Sequence, residues 1–469
     1  MKLIKLNQKD NVAIAVEPIA TGEVFTMKDF SVTCRQQSEI GCKIALCDIQ
    51  KSMSVIKCGL PIGRAARNIQ AGEPVAAKDL AQSSNSQKIF RGGCNPPEIH
   101  TNCTFSGYVR PDGRVGTRNE IWIVPLSEEA AEFSHSLADL CDTILFPNVD
   151  QVVSFSYPYL SQNREESLKA LASLIHHQNA GGVLIPVLGE EGLNIKILKR
   201  LIEGMDNRRI RFWNCRTSED VMEEGMKLIH KLAAAAGRFP REAIPAFELA
   251  VGMFCASPNV FTSITANPLL GVLSDKIVAQ GGTVILACPQ LPGSEEILSR
   301  QCLDQSIFEE AEKRIVHSGA ETLSLPFFST PEEKAAFYLQ EGGTAPVSDV
   351  LSGRRVFRRS GFNLLVAPSA SPASAAALAA AGAQIILTAC GAVAPIPSPV
   401  PAVCIASSAP SEHDNTSWLD FNAGSLIKSK SMSQVSNELW NFLLAVCEGR
   451  QRAKNESYRH KSLFLNTPA

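Results

Sequence analysis

A segment rich in arginine and glycine, residues 104–119 with the sequence TFSGYVRPDGRVGTRN, holds the side chains best suited to bind a small anion. Its arginines recur at every fourth position: Arg110, Arg114 and Arg118. One proline and three glycines disfavour a helix, and Asp112-Gly113 predicts a tight turn instead. Such arginines either grip a carboxylate or phosphate or clamp a domain boundary through ion pairs, and the sequence leaves both interpretations open.

A few acidic and amine side chains are candidates for proton transfer on such an anion. Glu191 and Glu295 follow apolar runs, where loops leave predicted strands, and with Glu190 they could form a carboxylate cluster. A solvated face of loop acids is the alternative. Lys334 is a candidate general base if burial lowers its pKa, whereas the two glutamates before it favour an ion pair.

The fourteen cysteines are scattered along the chain without a CxxC pair. This distribution is typical of reduced, buried thiols in a cytoplasmic protein. Cys42, Cys47 and Cys58 lie close in sequence and could form a thiolate metal site, but unrelated core residues are the simpler interpretation. We therefore assign no metal ligand.

The elements that position these side chains are predicted from apolar runs separated by glycines. Residues 1–80 predict a small β-rich N-terminal domain, and the Ser-, Gln- and Pro-rich stretch 81–98 predicts a linker. Beyond it, strands alternate with helices, which predicts two doubly wound, Rossmann-like parallel-sheet domains, 99–245 with the Arg/Gly motif and 246–469. Ligands bind beyond the carboxyl ends of such strands. We therefore expect site loops at 189–194, 255–266, 288–295, 368–373 and 388–396.

Composition, charge and motif content indicate which partners, location and cofactor to expect. A formal net charge of −2 gives no long-range attraction to nucleic acid or to an anionic membrane. No apolar run reaches the roughly 20 residues of a membrane span, and the N-terminus lacks a signal-peptide core, so we predict a soluble cytoplasmic protein. No GxGxxG follows a predicted strand, and we predict no NAD. The basic tail 450–461 predicts a solvated terminus.

The 104–119 motif resembles the signature of the altronate/galactarate dehydratase family of bacterial sugar-acid hydro-lyases. Weaker resemblances occur at 41–46, 59–75, 331–334, 342–346 and 381–386, in the same order as in the family. The family implies dehydration of an aldaric or aldonic acid to a 2-keto-3-deoxy acid, aided by Fe²⁺, Mn²⁺ or Mg²⁺. On this basis we assign catalysis to Glu191, Glu295 and Lys334. We assign substrate binding to Tyr108, Arg110, Asp112, Arg114, Arg118 and Asn119.

Several polar positions of the family pattern carry other residues here. Cys42 stands where the family has His, Glu190 where it has Cys, and Cys404 where it has Lys. Two hypotheses remain open: a divergent hydro-lyase, or a non-catalytic paralogue that binds a small carboxylate or a partner protein. For either, we expect a small-molecule sugar acid as ligand, neither nucleic acid nor a membrane, and we leave a homodimer open.

Overall fold

The structure is a computed structural model that describes most of the chain. The described residues are 2–27, 30–81, 90–92, 97–156, 164–189, 192–203, 209–217, 220–316, 328, 330–351, 356–367, 372–408, 416–428 and 430–463. Within these ranges no helix has the length and apolar character needed to cross a membrane. The predicted linker 81–98 lies mostly outside them, as do parts of the expected site loops 189–194 and 368–373.

The N-terminal part consists of short antiparallel strands, as the sequence predicted. The strands are β1 (Leu3–Ile4), β2 (Val12–Ala15), β3 (Val24–Met27), β4 (Phe30–Thr33), β5 (Lys43–Ala45), β6 (Ser54–Lys57), β7 (Leu60–Ala65), β8 (Pro74–Val75) and β9 (Leu80–Ala81). They pair in the orders β1-β2-β5-β8, β3-β4 and β6-β7-β9. Gly22 and Gly72 have φ of 83° and 85°, so both Gly-Glu turns need the left-handed conformation that glycine adopts freely.

The central part combines a small antiparallel sheet with a parallel one. Its strands are β10 (Thr104–Val109), β11 (Val115–Gly116), β12 (Glu120–Ile123), β13 (Gln151–Ser154), β14 (Ala180–Val187), β15 (Ile210–Asn214) and β16 (Glu242–Pro245). Its helices are α1 (Glu128–Cys141), α2 (Arg164–Ile175), α3 (Gly192–Ile202) and α4 (Val221–Ala236). The antiparallel order is β11-β10-β16 and the parallel order β13-β12-β14-β15. Ser127 and Asp220 cap α1 and α4 by accepting backbone N–H bonds.

The C-terminal part is built on a seven-stranded parallel sheet. Its strands are β17 (Ala250–Ser257), β18 (Thr283–Cys288), β19 (Val347–Leu351), β20 (Gly361–Val366), β21 (Ile385–Cys390), β22 (Ala402–Ala406) and β23 (Phe421–Asn422). Its helices are α5 (Ala266–Ala279), α6 (Glu295–Gln301), α7 (Gln305–Ala311), α8 (Pro331–Leu339), α9 (Pro372–Ala380), α10 (Ser425–Lys428), α11 (Met432–Cys447) and α12 (Lys454–Ser457), with a π-helical stretch at Glu312–Val316. Across all three parts, single 3-10 turns occur at Ala77–Asp79, Cys215–Thr217, Ala246–Glu248, Thr262–Ile264, Gln340–Gly342 and Thr416–Trp418.

The strand order of this sheet defines where a ligand would bind. The order is β19-β20-β18-β17-β21-β22-β23, so the chain winds one way from β17 to β18 and the other way from β17 to β21. The topological switch point therefore lies between β17 and β21, and ligands of doubly wound folds bind at the carboxyl ends of such a strand pair.

The two parallel sheets share one buried apolar cluster. It contains Trp122 and Leu171 from the central part and Leu378 and Ile386 from the C-terminal part. Helix α2 packs on α9 in the same region. Burial of apolar surface therefore joins these two parts directly, at roughly 25 cal/mol for each Å² removed from water.

Candidate functional site

The Arg/Gly motif folds as a tight hairpin between β10 and β11. Gly113, with φ of 83°, follows Asp112 at the turn, and its N–H donates to the carbonyl oxygen of Arg110 at 2.9 Å. The turn predicted at Asp112-Gly113 is thus confirmed. A Cβ atom on Gly116 would clash with the carbonyl group of Gln178, so the hairpin packs closely against the loop before β14.

Arg118 points from this hairpin into the protein. Its Nε and Nη2 atoms donate to the two carboxylate oxygens of Glu456 at 2.7 and 2.8 Å, and Nη1 donates to the carbonyl oxygen of Val446 at 2.8 Å. The side chains of Arg118 and Glu456 are each only 3% exposed. Lys461 makes a second buried ion pair with Glu120, at 2.5 Å. The prediction of a solvated tail at 450–461 is therefore wrong for Glu456 and Lys461, whose charges form buried pairs with the central part, whereas Arg450 and Arg452 are exposed.

Arg110 is also buried, and its guanidinium is bound by oxygens of the protein itself. Nε donates to the carbonyl oxygen of Gln178, Nη1 to Oδ1 of Asn119, and Nη2 to the carbonyl oxygen of Arg118, each at 2.7 Å. Asn119 in turn donates from Nδ2 to the carbonyl oxygens of Asn148 and Ala236 at 2.6 and 3.0 Å. These bonds fix the entry of β12 between the hairpin and α4.

The remaining residues of the predicted binding set are held in a similar way. Arg114 is partly exposed and donates to Asp112 at 2.6 Å and to the carbonyl oxygen of His176 at 2.7 Å. Tyr108 donates to Asp150 at 3.1 Å beneath the guanidinium of Arg241, and burial raises its pKa to about 12. The six residues lie together, and their contacts favour the clamp interpretation. Binding of a carboxylate by them stays a prediction.

Two of the three predicted catalytic residues, Glu295 and Lys334, lie on helices between β18 and β19. Glu191 is outside the described residues. Glu295 begins α6, and Lys334 lies in α8, where burial lowers its pKa. A Cβ atom on Gly293 would clash with the backbone of Pro331, so the start of α6 packs on the start of α8.

A cavity of about 150 Å³ opens at the switch point of the seven-stranded sheet. Ser257 and Cys390, the last residues of β17 and β21, line it together with apolar residues such as Phe254 and Ile396. Ser257 Oγ accepts the N–H groups of Gly391 and Ala392 at 2.8 and 3.0 Å, which fixes the loop after β21. Two of the loops expected from the sequence, 255–266 and 388–396, thus meet at this cavity.

Buried acidic and thiol groups stand close to the same edge. Glu341 is fully buried, and neither of its carboxylate oxygens has a hydrogen-bond partner among the described residues. Burial raises its pKa well above the ordinary value for glutamate. Burial also raises the pKa of Cys255 well above its ordinary value and that of Cys288 to about 12. The two thiols are therefore protonated at neutral pH, and burial favours the protonated form of Glu341.

The N-terminal part covers this carboxyl edge. Thr330 donates to the carbonyl oxygen of Ile62 at 2.7 Å, and Cys58 lies 3.7 Å from the carbonyl oxygen of Ser263, in the loop that follows β17. Gly41 packs so closely on Val260 that a Cβ atom would lie 3.1 Å from both of its methyl groups. The thiolate site that the sequence left as an alternative for Cys42, Cys47 and Cys58 is not supported, because Cys47 is exposed and burial raises the pKa of Cys58 to about 12.

A buried group of three charges joins the two parts, and we call Lys43, Lys57 and Glu333 the charge triad. Nζ of Lys43 lies 3.0 Å from both carboxylate oxygens of Glu333, and Nζ of Lys57 lies 3.4 Å from one of them. The three side chains are only 7, 12 and 2% exposed. The one local sign of the triad in the sequence is a lysine at the start of the apolar run KIAL, and its pairing was not predicted.

A divalent metal does not fit the described residues. Among them no group of three His, Cys, Asp or Glu side chains could hold a metal ion. Burial favours the protonated forms of Glu341 and of the thiols nearest the switch point, and a hard cation needs ionised oxygen ligands. Metal binding stays an expectation from the family resemblance.

Models of one protein family match nearly all of the chain. The altronate/galactarate dehydratase SAF domain matches residues 1–83, the second domain of D-galactarate dehydratase/altronate hydrolase matches 107–237, and the C-terminal domain matches 246–324 and 328–469.

Among curated relatives, altronate dehydratase of Bacillus subtilis (strain 168) is 31% identical over 98% of both chains. Altronate dehydratase of Escherichia coli (strain K12) is 30% identical over 99% of both. Galactarate dehydratase (L-threo-forming) of the same strain is 24% identical over 99% of this chain and 97% of its own.

Proposed function

Because the chain belongs to the altronate/galactarate dehydratase family, we propose that it is a hydro-lyase that removes water from a hydroxylated sugar acid to give a 2-keto-3-deoxy acid. The similarity to altronate dehydratases extends over the whole chain, so each of their parts has a counterpart here. The observation on this chain that carries the proposal is the buried charge triad at the carboxyl edge of the sheet.

Elimination of water from an α-hydroxy acid needs a base for the proton next to the carboxylate and a cation for the developing enediolate. Burial lowers the pKa of Lys43; the carboxylate of Glu333 opposes this shift and Lys57 adds to it. A lysine with a lowered pKa has an accessible amine form, so we assign the base to Lys43. Lys57, on the same side of Glu333, supplies the cation.

The residues singled out from the sequence keep proposed roles beside the triad. Lys334 is the alternative base, because burial lowers its pKa as well. Glu191 and Glu295 are candidates for returning a proton to the leaving hydroxyl group. A divalent metal would polarise the carboxylate when bound, but every step proposed here uses side chains of the chain itself.

One observation favours a second candidate, a non-catalytic paralogue that binds a small carboxylate or a partner protein. The cavity at the switch point is lined mainly by apolar residues, with Ser257 and Cys390 as its polar groups among the described residues. Such a lining offers few groups for acid–base work, so this cavity alone would support binding more readily than elimination.

The test is a dehydration assay on a panel of aldonates and aldarates, with Mg²⁺, Mn²⁺ or Fe²⁺ added and with chelator. Formation of a 2-keto-3-deoxy acid from any of them supports the hydro-lyase. If no sugar acid turns over and elemental analysis finds no bound metal, the proposal fails. A rise in melting temperature without turnover would support the binding paralogue, and no rise would reject that candidate for sugar acids as well.

Location and assembly are proposals too. We propose a cytoplasmic protein, which the free state of thirteen described cysteines supports, because reduced thiols are typical of that compartment. We also propose a homodimer, which sedimentation of the purified protein would test.

A further inference from the structure

Two cysteines at the carboxyl edge of the seven-stranded sheet lie unusually close together. Cys390 ends β21 and Cys404 lies in the neighbouring parallel strand β22, where it pairs with Thr388. Because side chains two residues apart share a face of a strand, Thr388 and Cys390 point the same way as Cys404. The two sulfur atoms are 3.1 Å apart. A disulfide bond of about 2.05 Å requires them to approach by only about 1 Å.

The two thiols differ in their position relative to the cavity at the switch point. Both belong to the apolar cluster shared by the two parallel sheets, but of the two only Cys390 is among the described residues that line the cavity. Both side chains are nearly fully buried from bulk water, at 1 and 4% exposure. A small reagent that enters the cavity therefore meets Cys390 first, and larger reagents are excluded.

The neighbouring groups also give Cys390 and Cys404 different chemical roles. The thiol of Cys404 donates to the sulfur of Cys390, and the hydroxyl of Thr388 lies 3.1 Å from the same sulfur. These contacts lower the pKa of Cys390 although burial works against them. The pKa of Cys404 is raised, because its proton is held by Cys390 and because the group is buried. Cys390 is thus the more readily ionised of the two thiols, and hence the better nucleophile, and Cys404 keeps its proton.

We propose that Cys390 and Cys404 form a reversible dithiol–disulfide pair that is oxidised by hydrogen peroxide or a similar small peroxide entering the cavity. The thiolate of Cys390 attacks one peroxide oxygen, the O–O bond breaks, and a sulfenic acid and hydroxide form. The thiol of Cys404 then attacks the sulfenyl sulfur, the S–S bond forms, and the departing hydroxide leaves as water with the proton of Cys404. Two electrons pass from the sulfurs to the peroxide, which is reduced to one hydroxide ion and one water. The hydroxide becomes a second water when it takes up the proton that Cys390 lost on ionisation.

Oxidation would alter the cavity as well as the sulfurs. The loop after Cys390 is tied to Ser257 through the N–H groups of Gly391 and Ala392. Movement of Cys390 toward β22 would pull this loop away from Ser257 and β17. The cavity would thus differ between the reduced and oxidised protein. This inference concerns the redox state of the switch point and stands whether or not the chain is a hydro-lyase.

The sequence permits a direct test on the full-length protein. Trypsin releases residues 360–428 as one peptide, because no Lys or Arg precedes Lys428 in it, and it contains Cys390 and Cys404 as its only cysteines. The reduced protein is treated with increasing hydrogen peroxide, blocked with iodoacetamide and digested without reductant. We expect a peptide lighter by two hydrogen atoms that takes up no alkyl group, and two alkyl groups after treatment with dithiothreitol.

Cys390→Ser and Cys404→Ser should each abolish the disulfide peptide completely. Cys47→Ser, which removes an exposed thiol far from the pair in sequence, should leave it unchanged. The proposal is overturned if residues 360–428 still take up two alkyl groups at peroxide doses that oxidise Cys47. It is also overturned if Cys390 is oxidised to sulfinic acid without a disulfide, because Cys404 would then not resolve the sulfenic acid.

Discussion

Arg118 and Glu456 form a bidentate ion pair in the interior of the protein, with nitrogen–oxygen distances of 2.7 and 2.8 Å. Burial alone would raise the pKa of Glu456, yet the guanidinium of Arg118 lowers it below the ordinary value. The pair connects the Arg/Gly hairpin to α12, so the most distinctive motif of the sequence fastens the C-terminal segment to the central part.

Loss of either partner of this pair should be strongly destabilising. Arg118→Met leaves the carboxylate of Glu456 buried without its main counter-charge, and we expect a loss of about 3–5 kcal/mol in the free energy of unfolding. Glu456→Gln should cost a similar amount, and the double variant less than the sum. Denaturant unfolding measures all three.

Arg114→Met is the matched control for Arg118→Met. Arg114 belongs to the same hairpin but is 38% exposed, so its replacement should cost no more than about 1 kcal/mol. If Arg118→Met destabilises the protein as little as Arg114→Met does, the clamp interpretation is refuted.

His177 should make the protein sensitive to mild acid. The ring stacks on Trp122, its Nδ1 accepts from the backbone of Asn179, and burial lowers its pKa to about 3. Because the pKa of His177 in the folded protein is below the unfolded value of 6.5, the neutral ring contributes stability that is fully present above pH 6.5. This contribution is lost as the pH falls from 6.5 toward 3. We expect a loss of about 2 kcal/mol between pH 8 and pH 5 from this residue.

His177→Asn removes the titrating ring but keeps an acceptor for Asn179, so the variant should lose less stability on acidification than the parent protein. His135→Asn, at an exposed position of α1, should follow the parent. Melting temperatures from pH 5 to pH 8 provide the measurement. Equal slopes for His177→Asn and the parent would show that His177 does not titrate as we expect.

Asp420 should make the protein less stable as the pH rises, which is the opposite of the effect of His177. Its carboxylate accepts N–H bonds from Cys404 and Lys454, and burial raises its pKa to about 6. For a raised pKa, the stabilising contribution is full below the unfolded value of 3.8 and is lost as the pH rises through 6. Asp420→Asn should therefore gain at most about 3 kcal/mol relative to the parent between pH 4 and pH 7.

The control for Asp420→Asn is Glu129→Gln, which removes an exposed carboxylate from the first turn of α1. Its stability relative to the parent should change by well under about 1 kcal/mol over the same pH range. A stability difference between Asp420→Asn and the parent that stays constant from pH 4 to pH 7 would contradict the raised pKa.

The charge triad predicts a pH profile for any dehydratase activity. Turnover should rise with pH as Lys43 loses its proton, and Lys43→Arg should abolish it, because an arginine stays charged. Glu333→Gln removes a charge that raises the pKa of Lys43, so the rise should shift to lower pH. Lys51→Arg, at an exposed position of the same part, should retain the parent profile. An unshifted profile in Glu333→Gln would remove Lys43 from the role of base.

The sequence predicted the layout of the sheets and missed the pairs that join them. Strands such as β14 and β17 are continuous apolar runs, and Asp112-Gly113 is a local turn signal, so both can be read from neighbouring residues. Lys43 and Glu333 are separated by 290 residues, and no local pattern connects them. The closeness of Cys390 and Cys404 likewise depends on the strand order, which propensity does not determine.

The predicted substrate-binding residues show the same limit for the site. Residue types and spacing could not separate an anion site from a clamp, because an arginine presents the same donors to a substrate carboxylate and to Glu456. Only the position of α12 next to the hairpin distinguishes the two, and that position results from the packing of the whole chain.

The pairing of Arg118 with Glu456 also sets an order of events during synthesis. The partners are separated by 338 residues, so at 5–20 residues per second the hairpin leaves the ribosome on the order of tens of seconds before its counter-charge is made. Through this interval the central part carries an arginine whose buried position cannot yet be neutralised. Its final packing therefore cannot precede the synthesis of Glu456, and a nascent chain arrested before residue 456 should expose this arginine to proteases and chaperones.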